Sequence, residues 1–245
     1  MCSWNLSDFG KSKNNKTIAF IANTIRDYDV VAVQEVVAGY GGTQAVARLA
    51  AELNRKGSKW DYAVSEPTSG SSYKTERYAF LWKTARVRKI KVWLEKEYKT
   101  DIDREPYYGT FTSKGKEFTV VNFHAITKSS QPETEIKHFK KLPANYPNCN
   151  LIFAGDFNCP QQHTVFNPLK GMGFQPVFRN QKTTLKQHCI QQECLASEFD
   201  NIFYQTKKVR LIDKKAHLFF QEFESLNWAR KVSDHIPIGF SFLLL

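Results

Sequence analysis

Apolar positions along the chain alternate between two spacings. Ile18, Ile21, Ala22 and Ile25 recur at the helical period and predict an amphipathic helix over residues 14–28. The continuous run Val30-Val31-Ala32-Val33 predicts a strand buried on both faces and ending at Gln34-Glu35. A second helix is expected over 43–55, with Thr43 as its cap and Val46, Leu49, Ala50 and Leu53 on one face. Gly39, Gly41 and Gly42 make the loop before it pliable. From Tyr62 onward the pattern turns β-rich, with strands at 78–82, 87–93, 107–112 and 118–123 whose succession suggests a meander. Pro132 opens a third expected helix with Ile136, Phe139 and Leu142 inward. Residues 151–154 form another buried strand, and two late strands lie at 199–204 and 236–243. There is no internal repeat, low-complexity tract or linker, so residues 1–245 are expected to form one domain.

Composition narrows the class. Hydrophobic residues make up 42% and aromatics 14%, enough to bury a core and to exclude a disordered chain. No apolar run reaches membrane-helix length, so no membrane insertion is expected. The chain opens at Met1-Cys2-Ser3-Trp4, already strand-like and without a charged-then-apolar leader, as a trimmed secreted protein would. Lysine and arginine outnumber the acids 35 to 24, and the net charge of +11 favours a polyanionic partner, generic solubility being the plainer explanation. Five cysteines, Cys2, Cys149, Cys159, Cys189 and Cys194, fit one or two disulfides and an odd thiol in an oxidising compartment; reduced structural cysteines are the alternative. Cys189 and Cys194 near His188 look like half a zinc site, but no second close pair completes it.

The chemistry gathers at strand ends. Asn5, Glu35, His124, Asp156, Asn158, Asp200, Asp234 and His235 each stand at or beside the end of an apolar strand, where ligands of layered α/β folds bind. Glu35, Asp156 and Asp234 are the oxygen donors that a hard divalent cation prefers. His124 and His235 suit proton transfer if an acid fixes the tautomer of each. Taken singly, an Asp or His at a strand end is more often a cap or a surface residue. The ordered set carries the weight.

That order resembles the endonuclease/exonuclease/phosphatase superfamily in Trp4-Asn5, Gln34-Glu35-Val36, Gly155-Asp156-Phe157-Asn158 and Ser233-Asp234-His235-Ile236-Pro237. The segments Val64-Ser65-Glu66-Pro67, Tyr73 to Tyr78, Arg104-Glu105-Pro106, His124-Ala125, Thr183-Thr184 and Asp200-Asn201 are similar to the deoxyribonuclease I branch. The resemblance implies a four-layer α/β/β/α sandwich of two mainly antiparallel sheets flanked by helices. It also implies a DNA endonuclease using Mg2+ or Mn2+, supported by structural Ca2+. Asn5, Glu35 and Asp234 would serve the metal, while Asp156 would share in that task and, with Asn158, orient water and phosphate. Glu76 would orient His124 and Asp200 would orient His235. Arg104 would grip a backbone phosphate, and Tyr73 would enter the minor groove.

The family's groove-reading arginine has no match in the loop after Glu35, which leaves Tyr40 or the backbone for that contact. Asn201 stands where an arginine is usual, and the stretch between Thr184 and Asp200 is long. A disulfide between Cys159 and Cys194 is implied by the same resemblance. The expected partner is double-stranded DNA, the expected state a monomer, and the expected location secreted, periplasmic or at the cell envelope. Two other readings stand beside this one. They are a phosphomonoesterase or lipid phosphodiesterase on the same scaffold, and a catalytically dead DNA-binding module.

Overall fold

The run at 30–33 is split by the pleat of its strand, and that split sets the architecture. In a computed structural model that describes residues 1–70 and 75–245, Val30 and Ala32 face one core and Val31 and Val33 face another. Strands β1 (Cys2–Phe9), β2 (Val30–Val37), β3 (Trp60–Val64) and β4 (Glu76–Lys83) form one sheet with two later strands, β13 (Val209–Ala216) and β14 (Ile238–Leu244), in the order β13-β14-β1-β2-β4-β3. A second sheet holds β5 (Arg88–Leu94), β6 (Tyr107–Ser113), β7 (Lys116–His124), β8 (Leu151–Asp156), β9 (Phe174–Pro176) and β12 (Asp200–Gln205), in the order β5-β6-β7-β8-β12-β9. Between them in sequence, β10 (Leu185–Ile190) and β11 (Glu193–Leu195) make a separate hairpin.

The two large sheets stack face to face. Val30, Ala32 and Phe80 of the first meet Phe111, Phe118, Ile152 and Ile202 of the second. Outside the first sheet, Val31 and Val33 lie under Ile18, Ile21 and Ile25 of α1 (Asn15–Ile25) and Val46, Leu49 and Leu53 of α2 (Tyr40–Asn54). Outside the second, Val121, Phe123 and Phe153 lie under Ile136, Phe139 and Leu142. This is the expected α/β/β/α sandwich. Pairing is antiparallel except at β1-β2 and β7-β8.

Three local expectations need correction. Helix α2 starts at Tyr40 with Gly39 as its cap, not at Thr43, whose hydroxyl donates to Tyr40 O at 3.0 Å. The glycines explain the early start: a Cβ on Gly42 would lie 1.9 Å from Val37 O, so only a glycine lets the helix begin this close to the strand end. The third helix is broken into α3 (Glu133–Ile136), a 3-10 turn and α4 (Leu142–Asn145). Pro143, at the start of α4, has no N–H and would crowd the carbonyl four residues back in a continuous helix. Last, the strand at 78–82 pairs with β2 in the first sheet, which leaves β5-β6-β7 as the meander. Among the described residues, no helix is long and apolar enough to cross a membrane.

Candidate active site

Strand direction brings the strand-end residues to one rim. β1 and β2 run parallel, so Asn5, at the break in their register, lies beside Glu35 toward the end of β2, while antiparallel β4 brings in Glu76 at its start. In the second sheet β7 and β8 are parallel with His124 opposite Asp156, and antiparallel β12 sets Asp200 against Asp156 as well. β14 runs antiparallel to β1, so Asp234 and His235 arrive just before it, and His235 bridges to Thr184. Gly155 makes the close approach of β7 and β8 feasible: at φ +147° its missing Cβ would lie 1.8 Å from Phe123 O. Glu35 (φ 57°) and Asn158 (φ 48°) hold left-handed backbone, a strained conformation that recurs at functional sites.

Two histidine–carboxylate dyads face each other across the rim. His124 Nδ1 lies 2.9 Å from Glu76 Oε2, and His235 Nδ1 lies 2.8 Å from Asp200 Oδ2. Each Nδ1 is thus occupied, and each Nε2 points inward, 3.5 Å and 3.6 Å respectively from the same atom, Asp156 Oδ2. Thr183 donates to Asp200 Oδ2 at 2.6 Å and fixes that carboxylate from behind. Burial pulls the pKa of His124 down, but the charge of Glu76, opposed by Arg104, and that of Asp156 leave it above the ordinary imidazole value. For His235, burial is outweighed by Asp200 and Asp156, and its pKa is pushed up to about 10. Burial raises the Asp200 carboxyl too, against the pull of His235.

Asn5 ties the two sheets together. Its Nδ2 donates to Glu35 Oε1 at 2.9 Å and Asp156 Oδ2 at 3.1 Å, and its Oδ1 accepts from Ser7 N at 3.0 Å. In this orientation it arrays two carboxylates side by side and offers them no oxygen of its own. Asn158 donates from its backbone to Asp156 Oδ1 at 2.9 Å and from its side chain to Ala125 O at 3.0 Å. Asp234 stands on the flank, accepting from Ser7 Oγ and, at 3.4 Å, from Arg230. Burial works to raise its carboxyl, yet His235, Ser7 and Arg230 together hold it low. Beneath the rim, Gln34 of β2 donates to Asn122 of β7 at 2.6 Å, and Asn122 donates in turn to Val33 O at 3.1 Å. This buried amide pair clamps one sheet to the other.

Of the expected DNA contacts, Arg104 is turned inward. It is 8% exposed, and its guanidinium donates to His124 O at 3.0 Å and to Ala125 O, with Nη1 3.7 Å from Glu76. It braces the His124 loop. Tyr40 is 74% exposed at the start of α2. Tyr73 lies outside the described residues. Sequence reasoning missed Ser7, Asn122 and Arg230 and gave Gln34, seen only as part of a motif, no role; the detectable signal was Asn122, a polar residue within the apolar run of β7.

The donor set fits a hard divalent cation. Glu35 and Asp156 share the Asn5 amide, and within 4 Å of Glu35 the cationic side chain among the described residues is His124, at 3.9 Å. Two carboxylates drawn to one amide are the oxygen donors that a hard cation prefers. Asp156, Asp200 and His235 also offer three ligand atoms within 4.8 Å of one another, but Asp200 is committed to His235 and Thr183. The Glu35 and Asp156 side of the rim is the better place.

The cysteines pair otherwise than expected. The disulfide joins Cys189 and Cys194, Cα atoms 4.2 Å apart, and closes the β10-β11 hairpin; Cys159 is a buried free thiol. Cys159 packs among the aromatic residues outside the second sheet, in one cluster with Leu169 of α5 (Asn167–Gly171), whereas Cys194 sits on a hairpin partnered by α6 (Leu226–Val232). Both hairpin cysteines are oxidised, which also removes the zinc alternative.

The Endonuclease/Exonuclease/phosphatase family profile matches residues 2–235. Deoxyribonuclease-1 of Canis lupus familiaris is 35% identical over 97% of this chain and 89% of its own length. A deoxyribonuclease of Thioalkalivibrio sp. (strain K90mix) is 26% identical over 97% of this chain and 69% of its own. D. rerio TDP2 complexed with single strand DNA product superposes with a TM-score of 0.66 at 17% identity, covering 99% of this chain and 97% of that one, a likeness of fold. With a profile match over nearly its whole length and deoxyribonuclease relatives, the chain belongs to the endonuclease/exonuclease/phosphatase family, as a hydrolase of nuclease or phosphodiesterase type.

Proposed function

We propose that the protein is a divalent-metal-dependent endonuclease that hydrolyses double-stranded DNA, acting as a secreted or envelope-side monomer. The observation that carries this reading is the opposed pair of dyads: two imidazoles whose free nitrogens converge on Asp156 from the two sides of the rim. Deoxyribonuclease relatives and the charge of +11 support DNA as the polyanion.

A bound Mg2+ or Mn2+ would stabilise charge on the phosphoryl oxygens, with Glu35 and Asp156 as the residues to hold it, Asp234 beside them, and Ca2+ in a structural role elsewhere. The chain's own groups do the rest. Glu76 and Asp200 fix the tautomers of His124 and His235, leaving each Nε2 free to exchange a proton at the phosphate. One imidazole takes the proton of the attacking water and the other returns one to the leaving oxygen. Asn5 and Asn158 keep Asp156 in place between them.

Supercoiled plasmid incubated with the protein and magnesium should be nicked, and chelator should abolish nicking. His124→Ala and His235→Ala should each lower the rate about a hundredfold or more. No nicking by the wild type, together with phosphate release from inositol phosphates or cleavage of sphingomyelin, would replace the DNA reading with the alternative on the same scaffold.

A further inference from the structure

Four lysine ammonium groups in the described chain lie over tryptophan rings: Lys83 over Trp60, Lys89 over Trp82, Lys91 over Trp93 and Lys231 over Trp228. In the first three the indole is buried or half-buried, and the lysine stem covers a core ring. Trp228 differs. It is 55% exposed, with the Lys231 ammonium 3.5 Å from the ring centroid.

The helix that carries this pair borders the catalytic rim. Ala229 and Val232 turn α6 toward the core, so Asn227, Trp228 and Lys231 face solvent. The buried Lys13 donates to Lys231 O at 3.1 Å and Val232 O at 2.8 Å, which fastens the helix end to the loop after β1. Arg230, on the next face, reaches Asp234. In that same loop Lys11 is exposed, its stem against Gly41 beside the exposed Tyr40. Tyr40, Lys11, Lys231 and Trp228 are thus exposed groups on segments that meet at the loop after β1. Exposed aromatic faces interleaved with cations are the chemistry that grips a nucleic-acid strand, bases on rings and phosphates on ammonium groups.

We propose that Trp228 and Lys231 form a contact for a single strand of nucleic acid leaving the catalytic rim, the indole taking an unpaired base and the ammonium a phosphate. The route of that strand rests on the nuclease reading. A cation over an exposed ring is held by about 0.5–1 kcal/mol, so Lys231 can swing to a phosphate and uncover the indole at little cost.

The test is anisotropy of a labelled oligothymidylate of about 15 nucleotides with the full chain in chelator, where binding is read without cleavage. Trp228→Ala should weaken binding fivefold or more, a loss of about 1 kcal/mol or more. Lys231→Gln should reduce the slope of log affinity against log salt by about 0.7. Lys89→Gln, on the edge strand β5, should change neither. A change of less than about twofold for Trp228→Ala overturns the proposal. So does a loss confined to anionic vesicles, which would make the ridge a membrane contact. Hydrolysis of thymidine 5′-p-nitrophenyl phosphate, which has no strand to lay on the ridge, should be equal in wild type and Trp228→Ala. If the wild type fails to nick supercoiled plasmid in magnesium, the nuclease reading fails while the binding result still decides the ridge.

Discussion

Arg104 shows how one side chain can carry a different task from the one its neighbours suggest. Its donors are spent on the carbonyls of His124 and Ala125 and its charge lies against Glu76, so removing it leaves a buried carboxylate and two carbonyls short of a partner. Arg104→Ala should therefore lower stability by about 3 kcal/mol in urea unfolding. Stability unchanged within about 0.5 kcal/mol, with weakened DNA binding instead, would restore the phosphate-gripping role. Cys159 makes a second residue-scale case. Burial pushes its thiol up to about 11, so near neutral pH almost none of it is the reactive thiolate. Alkylation of the native protein followed by mass mapping should label the half-buried Cys149 well before Cys159 or Cys2; prompt labelling of Cys159 would mean that its burial is not maintained. The acids and histidines of the rim were legible as residue types at strand ends. The dyad partners Glu76 and Asp200 came with the family resemblance; Ser7 meeting Asp234 and Asn5 meeting Asp156 were not legible, because they depend on how two sheets stack, which local spacing does not encode.

Among the elements, the β10-β11 hairpin combines exposure with a structural duty. Leu185 N donates to Asp234 O at 2.7 Å, Ile236 N donates to Thr183 O at 2.8 Å, and Arg230 donates to Leu185 O at 2.7 Å. The loop bearing His235 thus leans on the base of the hairpin, while the disulfide closes its tip. Replacing both Cys189 and Cys194 by Ser frees a short loop worth at most roughly 2 kcal/mol of unfolded-state entropy. Hydrogen exchange should rise first over residues 185–195, ahead of any change in the core strands. Protection unchanged there would show that the hairpin stands without its crosslink. Helices with a clean apolar stripe, such as α1, were readable to within a few residues. β13 was not: beyond Val209 it is exposed for much of its length and rich in Arg and Lys, as an edge strand can be. The disulfide partner was unreadable for a related reason, since the pairing follows a hairpin turn that spacing alone does not reveal.

At the scale of the whole molecule, the site belongs to neither sheet. Glu76 of the first sheet holds His124 of the second, Asn5 of the first holds Asp156 of the second, and the Gln34-Asn122 clamp sits just below. Asn122→Leu removes that clamp and leaves the buried Gln34 amide with Ser3 Oγ as its remaining acceptor, so stability should fall by about 1–3 kcal/mol. If the clamp also sets the distance between the dyads, plasmid nicking should fall tenfold or more at a temperature where the variant is fully folded by circular dichroism. Full activity in that folded variant would show that the apolar core alone keeps the sheets in register.

The shared Asp156 has a further consequence. In the proposed reaction both imidazoles aim at one oxygen from opposite walls, so the distance between the walls would itself be a catalytic parameter, and constellations of this kind tolerate only about half an ångström of drift. Inhibition therefore does not require a mimic of the phosphate. A small molecule that wedges the rim open would disable both proton carriers at once without touching either, and resistance to it would arise in core residues far from the chemistry.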